Sequence, residues 1–438
     1  MKHTRTAGGV GFGEISRSET IAYHDMAVRR ALLASFVCLV IVSASTWAAP
    51  GVVRFQNLNT VFGLPLWQSE SLWTANERDV GKQLGWPEES RTTTLASYRL
   101  YAKEEARVLG ARPYSLALYA EKGRVTQVSM VFANSGDRCR LKQFERDTQA
   151  IEVALKPLLG EPTQTFFGQT RKIRYKVRRW NWKGHAILLE TPENYVGVRV
   201  VPAELADREG RAEVIAYQQL RDTLSQRVKK RENGDVLITE IPMVDQGPKG
   251  YCAPATWERY LRYIGIQADM YVLALAGQTQ AGGGTSANLM FENVEALARR
   301  NGRRFEQLNL TLTVSNLAKY IDKGFPLMWG VFFDPGMDKR ISARSKERLT
   351  VTDWKAWPEK LKDAHNVSKV GPKMLRMPDS PGGEVSNGHI RMIVGYNAKT
   401  GEIAISDSWG KHFEERWATA EEARAMTQHE TAFWNVRW

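Results

Sequence analysis

Val244-Asp245-Gln246-Gly247-Pro248-Lys249-Gly250-Tyr251-Cys252-Ala253-Pro254-Ala255-Thr256-Trp257 is the stretch on which the fold turns. A loop rich in glycine and proline delivers a cysteine to the start of a helical pattern, where Trp257, Leu261 and Ile264 recur on one face. Pro254 suits the first turn, since its missing N–H costs nothing there. A thiol at this point meets the positive end of the helix dipole and unpaired backbone N–H groups, and both favour thiolate. A small buried hydrophobe would fit the same position, so the decision rests on what else the chain offers. Gln246 lies six residues before Cys252, far enough to fold back through the glycines. Its side-chain amide and the Cys252 N–H would then form a pair of donors for an oxyanion beside the sulfur.

A thiolate needs a base. Past the first fifty residues the chain offers His185, His365, His389, His412 and His429. His389 opens the strand-like run Gly388-His389-Ile390-Arg391-Met392-Ile393-Val394-Gly395-Tyr396, followed by a turn at Asn397-Ala-Lys-Thr-Gly401 and a second strand ending near Asp407. Across that hairpin Asp407 can hold the far N–H of the imidazole and fix its tautomer.

Gln246, Cys252, His389 and Asp407-Ser408-Trp409-Gly410, at these spacings, closely resemble the papain superfamily of cysteine peptidases. That superfamily carries Gln six positions ahead of the nucleophile and Asn-Ser-Trp-Gly at the later site. Asp407 in place of Asn resembles the bacteriocin-processing (double-glycine) peptidases and the transglutaminases, which use a Cys-His-Asp triad. Lys249 stands where papain has a disulfide cysteine. The resemblance covers residues from about 242 to 438 and implies a central helix packed on an antiparallel, barrel-like sheet, with 325–333 as its first strand. It further implies acyl transfer through a Cys252 thioester on a protein or peptide substrate. His389 would be the acid/base, Asp407 its orienting group, and Trp409 a shield for that hydrogen bond. Gly282-Gly283-Gly284-Thr285-Ser286 fails as a phosphate loop, because no Lys follows. By resemblance, Gly283 or Gly284 would line the cleft with Trp409 and bind an extended substrate; simple helix entry is the other reading. No metal or organic cofactor is implied. Transfer to an amine in place of water, as in transglutaminases or transpeptidases, and an inactive peptide-binding protein of the same fold are the competing functions.

The chain has 438 residues, 43 % of them apolar, enough for two cores. Residues 50–205 alternate helix and hairpin signals and predict a separate α+β domain. Its elements are a capping box, Thr74-Ala-Asn-Glu77, hairpins at Glu121-Lys122-Gly123 and Lys183-Gly184, and a helix over 141–159 stopped by Gly160. Residues 206–241 read as a charged helical linker whose run at 227–231 is a solvated helix end, and 334–386 reads as a long insertion, either a lid or an ornament. Arg29-Arg30, an uncharged stretch at 31–45 and Ala48-Ala49 match a signal peptide over residues 1–48, with Met26 as an alternative start. Export to the periplasm or beyond is therefore expected, with a membrane contact only if that segment stays uncleaved. The formal charge is +13. Without residues 1–48, 56 basic and 45 acidic side chains leave +11, so the excess belongs to the folded part. No zinc-ligand spacing, RNA-binding aromatic signature or dense basic helix accompanies it, and nucleic acid is not an expected partner. Cys139 and Cys252 are too few for a disulfide framework, and Cys139, with no His nearby in sequence, reads as a packing residue.

Overall fold

A computed structural model describes residues 52–437 except 138, 248–249, 280–283 and 377–383. The expected signal segment with Cys38, and also Lys249 and Gly283, lie outside the described residues. Residues 52–438 cluster as one compact unit.

The N-terminal half is an antiparallel sheet of eight strands: β1 (Glu88–Arg91), β2 (Leu95–Tyr101), β3 (Ser115–Glu121), β4 (Arg124–Asn134), β5 (Thr163–Phe167), β6 (Tyr175–Trp182), β7 (His185–Glu190) and β8 (Tyr195–Pro202). Their order is β1-β2-β3-β4-β8-β7-β6-β5, which leaves β1 at an edge. Helices α1 (Phe55–Phe62), α2 (Glu77–Leu84) and α3 (Leu141–Leu159) accompany it. The β3–β4 and β6–β7 turns take positive φ at both central residues, 49° and 78° at Lys122-Gly123 and 41° and 76° at Lys183-Gly184. Both are the tight turns whose twist matches the strands. Helix α2 is capped by Asn76, whose Oδ1 accepts from the Arg78 N–H at 2.9 Å, and not by Thr74, whose hydroxyl donates to the Ser71 carbonyl instead. Glu77, the other half of the expected box, is drawn off to Arg91 at 2.8 Å.

The expected helical linker is two short helices, α4 (Ala203–Asp207) and α5 (Tyr217–Gln226), followed by a hairpin of β9 (Val228–Lys230) and β10 (Asp235–Ile238). The basic run at 227–231 is therefore largely strand, paired to β10, and not a helix end. Gly234, at φ 96°, permits the turn, and Arg231 leaves for a bidentate pair with Glu415.

Beyond it stand helices α6 (Cys252–Tyr263), α7 (Met270–Ala276), α8 (Ala287–Arg300) and α9 (Val314–Ile321), and a second antiparallel sheet. Its strands are β11 (Phe305–Leu308), β12 (Leu327–Phe332), β15 (Gly388–Asn397), β16 (Glu402–Ser406), β17 (Arg416–Thr419) and β18 (Phe433–Val436), joined by β9 and β10. The chain is thus a mixed α/β protein with two large antiparallel sheets. Residues 334–386 are largely folded, in contrast to a long loop. They hold α10 (Pro335–Arg348), α11 (Trp357–Lys360), α12 (Lys362–His365) and a small hairpin of β13 (Met374–Arg376) and β14 (Glu384–Ser386); α13 (Ala420–Met426) follows later in the chain. Asp334 caps α10, and Arg348 at its far end is buried against Asp235 and Glu402, which anchors the helix on the sheet.

Helix α6 differs most from its sequence pattern. Instead of one buried face it is buried all round, from Ala253 to Tyr263. Trp257 and Leu261 join the C-terminal core with β15, while Tyr251 and Ala255 pack with Val131 and Tyr195 of the N-terminal sheet. The charged side chains on that second face find partners there: Glu258 lies 3.2 Å from Arg262 and 3.8 Å from Arg99, and accepts from the Met270 N–H at 2.7 Å. Burial pushes the Glu258 carboxyl up to about 7 against the pull of Arg99 and Arg262.

Candidate active site

Three elements converge on Cys252. It is the first residue of α6, His389 is the second residue of β15, and Asp407 directly follows β16. His389 Nε2 lies 2.7 Å from Asp407 Oδ1, so Nδ1 is the nitrogen left to face Cys252, whose thiol the imidazole influences. Burial works to raise the Cys252 pKa, but the imidazole and the backbone groups of Ile390 and Ala253 outweigh it, and the thiol is shifted down. For His389, burial works downward and is overcome by Asp407 and Cys252, so that the ring is pushed up to about 9. The thiol shifted down and the imidazole shifted up both favour the thiolate–imidazolium form over the neutral pair.

Asp407 is fully buried and carries more than the histidine. Arg391 Nε donates to its Oδ1 at 3.0 Å, and Arg416 pairs with Oδ2. Despite burial, Arg391, His389 and Arg416 hold the carboxyl well below the usual range. Asp338, on α10, accepts from both arginines, from Arg416 Nη1 at 2.8 Å and from Arg391 Nη2. His389, Arg391 and Arg416 thus face Asp407, Asp338 and the Cys252 thiol, whose thiolate form the imidazole favours.

Trp409 stacks on the His389 ring, with centroids 4.8 Å apart and planes 21° apart. Phe333 closes the edge of both rings at 5.6 and 6.2 Å. The lid over the His389–Asp407 bond is therefore aromatic, and water is kept from competing for that hydrogen bond. Gln246 is tied to the segment behind Asp407 twice: its N–H donates to the Ser408 carbonyl at 2.9 Å, and Ser408 Oγ donates to its Oε1 at 2.9 Å. The amide oxygen is thereby committed to Ser408, which fixes the orientation of the side chain.

Of the sequence candidates, the structure brings Cys252, His389, Asp407 and Trp409 into one cluster and ties Gln246 to its frame. Gly284 stands at the entry of α8, exposed, at φ 72°, with open space where a Cβ would be. Sequence reasoning missed Arg391, Arg416 and Asp338. Arg391 had a signal, since residues 389 and 391 share one face of a strand of period two; the other two arrive only through tertiary packing. Three of the other histidines have partners elsewhere, and His412 lies in the short 3-10 turn Lys411–Phe413. His185 accepts from the Leu72 N–H and donates to the Trp182 carbonyl in the N-terminal core, a neutral tautomer that burial favours further. His365 pairs with Glu421, and His429 contacts Thr431. Cys139 packs on the N-terminal core. Among the described residues no group of three or more His, Cys, Asp or Glu stands together as metal ligands.

Residues 238–436 match the model of the Peptidase_C39-like family. The crystal structure of a Bacillus anthracis protein, named as a C39-like peptidase, aligns with a TM-score of 0.30 and 14 % identity, covering 47 % of this chain and 98 % of that one. No curated protein matches the chain.

Proposed function

We propose that this chain, whose residues 238–436 match the C39-like peptidase family, is a papain-like cysteine peptidase that hydrolyses peptide bonds through a thioester on Cys252. The observation that carries the proposal is the relay from half-buried Cys252 to buried His389 and Asp407, with the thiol shifted down and the imidazole pushed up to about 9. In this reading the Cys252 thiolate attacks the scissile carbonyl carbon, and the carbonyl π pair moves to oxygen. The Cys252 N–H and the Gln246 amide hold that oxyanion. Collapse expels the amine, which takes its proton from His389 Nδ1. Neutral His389 then removes a proton from water, whose hydroxide attacks the thioester and frees the acid, returning the thiolate–imidazolium pair.

Asp407 keeps Nε2–H engaged throughout, and Trp409 keeps the ring in its plane. Gly283 and Gly284, before α8, are the proposed backbone contacts for an extended substrate. We assign residues 1–48 to export, on the basic, apolar and small-residue pattern alone. Hydrolysis of fluorescein-labelled casein tests the reading, with Cys252→Ala as control. Loss of cleavage in Cys252→Ala is expected, and cleavage that survives it rules the assignment out. Adding a labelled amine separates the neighbouring chemistry: incorporation that outpaces hydrolysis would make the protein an amine acyltransferase.

A further inference from the structure

Two short stretches of backbone carry the proposed oxyanion donors, 243–247 with Gln246 and Tyr251-Cys252 with the N–H. Both are fastened by side chains of the N-terminal half. The Met243 N–H donates to Ser90 Oγ at 2.8 Å, and the Asp245 N–H donates to Glu89 Oε1 at 2.9 Å. Tyr101 Oη donates to the Asp245 carbonyl at 2.6 Å. Gln246 is consequently gripped from one side by the β1–β2 edge and from the other by Ser408. Glu89 is itself set by Arg99 Nε at 2.6 Å, and both side chains are 2 % exposed.

The fit is steric as well. Gly247 has φ 70°, and a Cβ there would come within 2.7 Å of the Tyr101 ring, so ring and loop backbone are in direct contact. On the other stretch, Tyr251 Oη donates to Asn134 Oδ1 at 2.6 Å, and a Cβ on Gly136 would overlap that hydroxyl at 2.1 Å. A loop with so many glycines has little conformational preference of its own, whereas an oxyanion site needs donors fixed to within tenths of an ångström.

We propose that the N-terminal sheet is a positioning element for the oxyanion donors, acting on segment 243–247 through Glu89, Ser90 and Tyr101 and on Tyr251-Cys252 through Asn134. This rests on the peptidase reading. The thiolate itself is made elsewhere, by His389, Ile390 and the start of α6. Loosening the clamp should therefore slow acyl transfer without disarming the sulfur.

The test uses the full chain carrying Ser90→Ala, Tyr101→Phe or both; Phe keeps the ring against Gly247 and removes only the hydroxyl. Casein hydrolysis is compared with alkylation of Cys252 by iodoacetamide, a displacement that forms no oxyanion, and melting temperature monitors folding. In the double variant, turnover should fall about 10- to 100-fold, short of the loss from deleting a donor outright, while alkylation stays within about twofold of wild type. The single variants should fall between wild type and the double, and they carry the test should the double fail to fold. Turnover equal to wild type in the folded variants overturns the inference, as does alkylation that drops in step with turnover. If wild type alkylates at Cys252 yet does not cleave casein, the peptidase reading itself fails and the positioning role falls with it.

Discussion

Replacing Asp407 by asparagine tests the charge balance of the site most directly. An amide oxygen can still accept the His389 Nε2–H bond, as Asn does in papain relatives, and on sequence alone the change looks mild. The structure makes it severe, because the same carboxylate also serves Arg391 at 3.0 Å and Arg416 in a fully buried position. Asp407→Asn leaves three cationic groups facing only Asp338 and the Cys252 thiolate. Removing one partner of a buried ion pair costs about 3–5 kcal/mol. At about 2–4 °C per kcal/mol for domains of this size, that is a melting temperature lower by roughly 10 °C.

The electrostatic consequence has a definite sign. His389 is pushed up to about 9 in part by Asp407, so the imidazolium is present below that pH and lost above it. Without the carboxylate charge, the alkaline limb of the casein-hydrolysis profile, where the imidazolium must protonate the leaving amine, should move to lower pH. Thermal melting and casein hydrolysis measured from pH 5 to 10 provide both readouts. A variant that melts within about 2 °C of wild type and keeps its alkaline limb near 9 would refute the three-cation account.

Four other outcomes are expected. Asp338→Asn should also destabilise by about 3 kcal/mol, since Arg391 and Arg416 lose their shared acceptor, and chemical denaturation would measure it. Gly247→Ala should lower turnover and melting temperature together, the added methyl meeting both a left-handed φ and the Tyr101 ring, at a cost of about 1–3 kcal/mol. At pH 6, Cys252 should alkylate much faster than Cys139; equal labelling of the two thiols, read by peptide mass spectrometry, would count against an activated thiolate. Terminal sequencing of the protein from expressing cells should find Ala49 or Pro50 first, outside the cytoplasm, and an intact residue 1–48 segment in the cytosol would remove the export assignment.

What the chain by itself determines is local. Glycines and prolines ahead of Cys252, a strand-turn-strand pattern that sets His389 against Asp407, and the Lys-Gly turns at 122–123 and 183–184 are all written over a few residues. Their spacing therefore predicts both the hairpins and the cluster. Where a second partner competed, local reading failed: Thr74 lost the cap of α2 to Asn76 because Glu77 goes to Arg91, and the basic run at 227–231 became a strand because β10 offered it a pairing edge. Tertiary structure decided the rest. Helix α6 is buried on both sides because the N-terminal sheet covers the face opposite Trp257 and Leu261. Asp338 reaches Arg391 and Arg416 from 53 and 78 residues away along the chain. Such pairings leave no periodicity, since a buried charge is satisfied by whichever opposite charge the fold brings to it. That is also why Asp stands at 407, where two arginines must be neutralised as well as one histidine oriented.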